Sequence, residues 1–235
     1  MTETTLRTAL ADYSFTKPLK SGAQTIPGVK LAFEEVKPVN RAFAPMAREQ
    51  KFDVSHITQL LHARRERLAP LLKHPLNRRV VLHVHSGFHE VDCYSLIADL
   101  LRMIPGLDVV VADFQAPGHM CSAISTVPAA LKDVQRKSVA FCAQHQSDTL
   151  VTGFHACQRL LCGLKTTDGL NVVNYVNLLI ESMGKTPLPD EYSEWKNAGS
   201  PNAIRAKIGS ERLAKIGVDF FEQQMLPELR KMPEK

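Results

Sequence analysis

A short phrase occurs twice in this chain: His83-Val84-His85-Ser86-Gly87-Phe88-His89, and later Val151-Thr152-Gly153-Phe154-His155-Ala156-Cys157. Each copy closes an apolar run with a Gly turn and sets a His at the mouth of a helix. Open α/β sheets bind their ligands there, beyond the carboxyl ends of the strands. Between the copies stands Gly118-His119-Met120-Cys121-Ser122, so His and Cys collect at three loop mouths. Imidazole and thiolate are the ligands of zinc and related transition metals, usually four around the ion. His85, His89, His119, Cys121, His155 and Cys157 are the residues from which such a set could be drawn. The subset His89, Cys121, His155 and Cys157 is chemically sensible, but spacing does not dictate it. His155 and Cys157, one residue apart at a helix start, would share one ion only awkwardly. The same His residues would also serve as plain helix caps, bonded to main-chain groups. The doubling of the phrase raises the ligand pocket to stand level with the helix-cap reading.

Cys157 has a second chemistry open to it. At a helix N-terminus the macrodipole favours the thiolate and lowers the pKa, which is how reactive cysteines arise. His155 beside it would assist, so His155 and Cys157 are the candidate catalytic pair. Cys162 lies off that face and reads as core, while Cys93 and Cys142 sit in apolar helices as small hydrophobes. Five cysteines, with no CxxC pair and no export signal, speak for thiols or ligands rather than a disulfide framework. Hydrolase elbow, P-loop, dinucleotide glycine fingerprint and zincin motif are all absent from the sequence.

These residues need elements to position them. From Arg79 onward the pattern is strand, loop, helix, repeated. Val80 to Val84, Leu107 to Ala112, Thr149 to Val151 and Leu170 to Val173 read as strands. The intervening helices span 93–103, 128–144, 155–164 and 174–183. Strands alternating with helices of this length predict βαβ units: an α/β fold, its mostly parallel sheet covered by helices on both faces. Upstream, Leu6 to Tyr13 and Val29 to Val36 read as strands, with Lys17-Pro18 and Ile26-Pro27-Gly28 as breakers between them. A helix follows from Asn40 to about Glu49, and a leucine-striped one from His56 to Lys73. Lys185 to Pro201 reads as a linker holding the only tryptophan, Trp195. Ala203 to Lys231 then forms a terminal amphipathic extension, broken near Gly217 and Pro227, with Phe220, Phe221, Met225 and Leu229 on its apolar face. Three segments result: an N-terminal β-β-α piece (1–55), an α/β domain (56–184), and a linker with C-terminal helices (185–235).

Composition bounds the function classes. The 235 residues are 44% hydrophobic and 23% charged, with no low-complexity tract and no apolar run long enough to span a membrane. No secretory pattern opens the chain, so a cytoplasmic location is expected. Net charge is +5, concentrated in Arg64, Arg65, Arg67, Lys73, Arg78 and Arg79. Glu66 interrupts this cluster and leucines recur through it at helical spacing, which predicts a solvated helix face rather than a nucleic-acid surface.

Residues 52–184 resemble the cysteine-rich domain of heterodisulfide reductase and related iron–sulfur oxidoreductases. That family carries a Cys at a strand end, then a Cys-Cys-Gly, then a Cys-x-x-Cys. Phe88 falls on the first of these cysteines, Cys121 with Met120 or Ser122 on the pair, and Thr152-Gly153-Phe154-His155-Ala156-Cys157-Gln158 on the last motif. The intervals 88 to 121 and 121 to 154 match the family's spacing. Phe154 stands where that motif's first cysteine belongs, and Cys157 keeps its second. Clusters are held by Cys thiolates, and at least three of the five are replaced, so an intact iron–sulfur cluster is not expected. The resemblance implies an oxidoreductase-type domain without its cluster. It would serve as a subunit or protein partner in a redox complex, or hold zinc or another transition metal at a site rebuilt from His89, Cys121, His155 and Cys157.

The N-terminal segment resembles the start of dihydroxyphthalate decarboxylase, most specifically in Arg48-Glu49-Gln50-Lys51-Phe52-Asp53-Val54-Ser55. The alternative function this implies is an enzyme acting on an aromatic carboxylate. Arg41 or Arg48 would clamp the acid, and His residues would move protons. A third reading makes the chain an assembly module that docks through Phe220, Phe221 and Met225, and homo-oligomerisation stays open.

Overall fold

The computed structural model describes residues 4–9, 16–35, 57–85, 92–117 and 124–233. The helix expected from Asn40, together with Arg41 and Arg48, lies outside the described residues, as do Phe88, His89, His119 and Cys121. The chain divides into two compact units, Met1–Arg65 and Glu66–Lys235.

In the first unit β1 (Thr4–Thr8) and β2 (Val29–Phe33) pair in parallel, Thr4 opposite Val29 and Thr8 opposite Phe33. Parallel neighbours need a crossover rather than a tight hairpin, and α1 (Lys17–Lys20) lies on that connection. Lys17-Pro18, expected as a breaker, therefore starts a helix: proline's fixed φ suits the first helical turn, where its missing N–H is no loss. The leucine-striped helix begins as α2 (Ile57–Ala63) and does not run on unbroken. It continues as α3 (Arg65–Leu68) and a 3₁₀ turn over Ala69–Leu71, with Pro70 at the start of that turn. Leu60, Leu68 and Leu72 are buried, while Leu71 is 53% exposed.

The second unit is built on β3 (Arg78–His85), β4 (Leu107–Ala116), β5 (Thr149–Thr152) and β6 (Asn171–Asn174), in the order β4-β3-β5-β6. Each neighbouring pair is parallel. The molecule is thus an α/β fold of mostly parallel sheets flanked by helices, with an N-terminal β-β-α segment and a C-terminal helical region. β3 and β5 are the inner strands, and their continuous apolar runs bury almost completely, as inner parallel strands do. β4 extends past the expected end at Ala112 to Ala116, and its register breaks on the way. Leu82 pairs with Val111, but Val84 pairs with Gln115, so β4 carries two residues more than β3 around His83.

Some of the helices begin at a side-chain cap. α4 (Cys93–Arg102) begins at Asp92, whose carboxylate accepts from the Ser95 amide at 3.1 Å. Its inner face is Cys93, Ile97, Ala98, Leu100 and Leu101. α5 (Pro128–Gln144) opens on proline and packs Val134, Phe141 and Cys142 into the cluster that includes Val81 and Leu150. α6 (His155–Leu161) and α7 (Leu164–Asp168) divide what reads as a single helix. α8 (Tyr175–Ser182) is capped by Asn174, whose side chain accepts from the Val176 amide at 3.1 Å. The basic cluster is partly paired within the chain: Arg78 with Glu181 and Arg79 with Asp108, each at 2.5 Å and partly exposed.

The stretch expected as a linker contains α9 (Glu191–Lys196), capped by Asp190. α10 (Pro201–Ile208) and α11 (Ser210–Ile216) follow, then α12 (Val218–Phe220), a π turn over Phe221–Met225, and α13 (Leu226–Arg230). Gly209 and Gly217, at φ +81° and +92°, make the breaks. Pro227 makes none, because it sits in the first turn of α13. Ile204, Ile208, Phe221, Leu226 and Leu229 form a separate core against Trp195. The expected apolar face is corrected at one position: Phe221 is 1% exposed but Phe220 is 56% exposed. Neighbouring residues of a helix point to different sides, and Phe220 falls on the solvent side of this one. No helix among the described residues is long and apolar enough to cross a membrane.

Candidate functional site

The second copy of the doubled phrase lies at the carboxyl end of β5. Gly153 is there because α4 comes too close for any side chain: a Cβ on Gly153 would stand 2.6 Å from Ile97 Cδ1 and 3.5 Å from Tyr94 Cε1. Phe154 turns back onto α4, its ring edge to face with Tyr94 at 5.8 Å between centroids. His155 then opens α6 and is exposed. Protein packed around the rest of its ring lowers its pKa; the Arg159 guanidinium adds to this and the Asp190 carboxylate opposes it.

Cys157, one turn into α6, is 2% exposed and disulfide-bonded. The free, activated thiolate expected at this helix start is therefore absent, and so is the wholly reduced set of cysteines. Cys93, Cys142 and Cys162 are buried free thiols, as expected of core positions. Burial, the largest cause in each, pushes them up to about 11, 12 and 11, so they stay protonated at neutral pH. Of the four residues proposed as metal ligands, His155 and Cys157 are described and His89 and Cys121 are not. Among the described residues no group of three or more His, Cys, Asp or Glu side chains is placed to hold a metal ion.

α6 is clamped against α9 by polar contacts. Gln158 donates to the Asp190 carboxylate, which also caps α9 by accepting from the Ser193 amide at 3.1 Å. The Arg159 guanidinium lies over the Tyr192 ring, 4.5 Å from its centroid. Asn197 Nδ2 donates to the Cys162 carbonyl at 3.1 Å. Lys196 is 5% exposed, its ammonium donating to the main-chain oxygens of Glu228 at 3.1 Å and Lys231 at 2.5 Å. Burial lowers its pKa, with the neighbouring Cys162 and Glu228 opposing.

No protein-family model, curated protein or solved structure matches the chain. The functional reading rests on the chain's own residues.

The first copy of the phrase holds a residue that sequence patterning passes over. His83, in the middle of β3, is 1% exposed, and neither ring nitrogen has a hydrogen-bond partner among the described residues. Burial and the neighbouring His85 hold its pKa down to about 4. His85, at the end of β3, is 5% exposed. The Tyr94 hydroxyl is also buried without a hydrogen bond among the described residues. Burial, the largest cause, pushes that phenol well up. The available signal was the His-x-His spacing within an otherwise apolar strand.

Proposed function

We propose that the chain is a cluster-free relative of the cysteine-rich oxidoreductases. It works as a subunit or partner in a redox complex, through a thiol–disulfide couple at Cys157. The observation that carries this is the disulfide itself, on the one cysteine that the resemblance preserves in its last motif. Since Cys93, Cys142 and Cys162 are free thiols, Cys121 is the cysteine left in the sequence to serve as an intramolecular partner. In the exchange, a thiolate of the partner protein attacks one sulfur of the Cys157 disulfide and releases the other as thiolate. A second partner thiolate then resolves the mixed disulfide. The partner's dithiol is oxidised to a disulfide, and two electrons and two protons pass to Cys157 and its mate. His155, beside Cys157 and held below its ordinary pKa by its surroundings, would take the proton from the attacking partner thiol and pass it to the thiolate released from the disulfide. Zinc or another transition metal at the His/Cys set belongs to the reduced state, since metal ligation needs the thiolate.

The test is a thiol count on the full chain, denatured after blocking, with and without reductant. The expected result is three free thiols before reduction and all five cysteines after it. Peptide mapping without reduction should show Cys157 crosslinked to the peptide bearing Cys121. Five free thiols in protein purified in air would sink the reading.

A further inference from the structure

We infer that Cys157 is the sulfur released in the exchange and never the sulfur attacked, and that the couple therefore selects a dithiol partner over a monothiol. This deepens the function proposed above and rests on it.

The course of thiol–disulfide exchange depends on which sulfur the incoming thiolate can reach, since it approaches along the line of the bond that breaks. Cys157 is 2% exposed on a helix that packs against β5 and β6. Leu161, one turn further along the same face of α6, belongs to the core cluster with Leu150 and Val172. Cys157 therefore points inward, and that burial closes the line of approach to a thiolate carried by another protein. Attack falls on the other sulfur of the bond, which the cysteine count assigns to Cys121.

In the first step the partner's sulfur bonds to the sulfur of Cys121. The bond between Cys121 and Cys157 breaks, and its electron pair leaves on Cys157. The released sulfur does not swing away, because α6 is held to α9. Gln158 donates to Asp190, the Arg159 guanidinium lies over the Tyr192 ring, and Asn197 donates to the Cys162 carbonyl. A nucleophile fixed beside the bond it has just left has a high effective concentration. It reforms the original disulfide and expels a monothiol before a second one arrives from solution. A dithiol competes on equal terms, because its second thiolate is tethered too. That thiolate attacks its own sulfur in the mixed disulfide, closes the partner's disulfide and releases Cys121 as thiolate. The two protons of the dithiol end on Cys121 and Cys157. The substrate class is thus a protein dithiol that can close on itself, and a glutathione-like monothiol is turned back.

The experiment reduces the oxidised full chain with dithiothreitol, a dithiol, or with glutathione, a monothiol, at one pH and equal thiol concentration. Samples are quenched in acid, blocked and peptide-mapped. Reduction by dithiothreitol should be faster by roughly tenfold or more. Trapped glutathione should sit on Cys121, with Cys157 as the free thiol. Tyr192→Ala, which takes away the ring under Arg159, should narrow the gap between the two reductants, and Tyr192→Phe should keep it. Cys157→Ser lacks the recapturing sulfur and should retain glutathione on Cys121 after mixing with oxidised glutathione. Glutathione mapped to Cys157, equal rates with the two reductants, or a Cys157→Ser chain that takes up none overturns the inference. The thiol count decides the couple separately: two cysteines that resist blocking before reduction establish the disulfide, whichever sulfur is attacked.

Discussion

Tyr94 and Phe154 meet edge to face, ring centroids 5.8 Å apart and planes at 75°. The contact joins α4 to the turn after β5. An aromatic pair of this geometry contributes about 0.5–1.5 kcal/mol beyond the area it buries. Phe154 is only half-buried, so Phe154→Ala should cost about 1–2 kcal/mol. Urea melts of Phe154→Ala, Tyr94→Ala and the double variant check this. A coupling energy near zero would show that the rings do not support each other.

Gly153→Ala should destabilise the protein by about 1–3 kcal/mol, the usual cost of overpacking. The new Cβ would stand 2.6 Å from Ile97 Cδ1, and Ile97 is fully buried with little room to move. Valine lacks that Cδ1, so adding Ile97→Val should recover part of the loss. Additive costs in the double variant would place the strain elsewhere in the turn.

His83 makes stability depend on acid. Its folded pKa, about 4, lies below the 6.5 of the unfolded ring, so between these values the unfolded chain binds more protons. Stability therefore rises with pH across that window. The contribution is fully present above about pH 6.5, is lost as pH falls toward 4, and amounts to roughly 3 kcal/mol. Chemical denaturation at pH 7 and pH 4.5 should show the loss in wild type and a flatter profile in His83→Leu. Equal slopes in the two proteins would assign the acid sensitivity to other groups.

Much of the fold is legible in the residues, for identifiable reasons. α5 runs from Pro128 to Gln144 as read, because a proline fits its first turn and the apolar period continues through Phe141 and Cys142. β3 stands out because an inner parallel strand is apolar on both faces. α9 is missed because proline and glycine on either side make Glu191 to Lys196 look like linker, whereas the Asp190 cap and the docking of Trp195 make it a helix. The candidate site is less legible. His155 at a helix mouth follows from the Gly-Phe-His phrase, but the disulfide at Cys157 depends on which sulfurs the fold brings together. His83 escapes notice because an isolated polar position does not disturb the apolar strand pattern of β3, and only burial shows that its nitrogens are unpaired among the described residues.

Lys196 should hold the C-terminal segment down over Cys162. Its ammonium donates to the carbonyls of Glu228 and Lys231, at and just past the end of α13, where a cation also suits the helix dipole. The same side chain and Pro233 crowd Gly163, whose Cβ would fall 3.3 Å from Lys196 Cε and 2.6 Å from Pro233 Cδ. Lys196→Met keeps the packed stem but removes the donor. Two carbonyls then lose a charged partner, worth about 2 kcal/mol. The loss falls on the segment from Leu226 to Pro233, not on the sheet. Hydrogen exchange should therefore accelerate in that segment while β3 and β5 keep their protection. The Cys162 thiol, fully buried beneath it, should react faster with a disulfide reagent than in wild type. Unchanged exchange at 226–233 together with unchanged Cys162 reactivity would mean that Leu226 and Leu229 anchor the segment without the lysine.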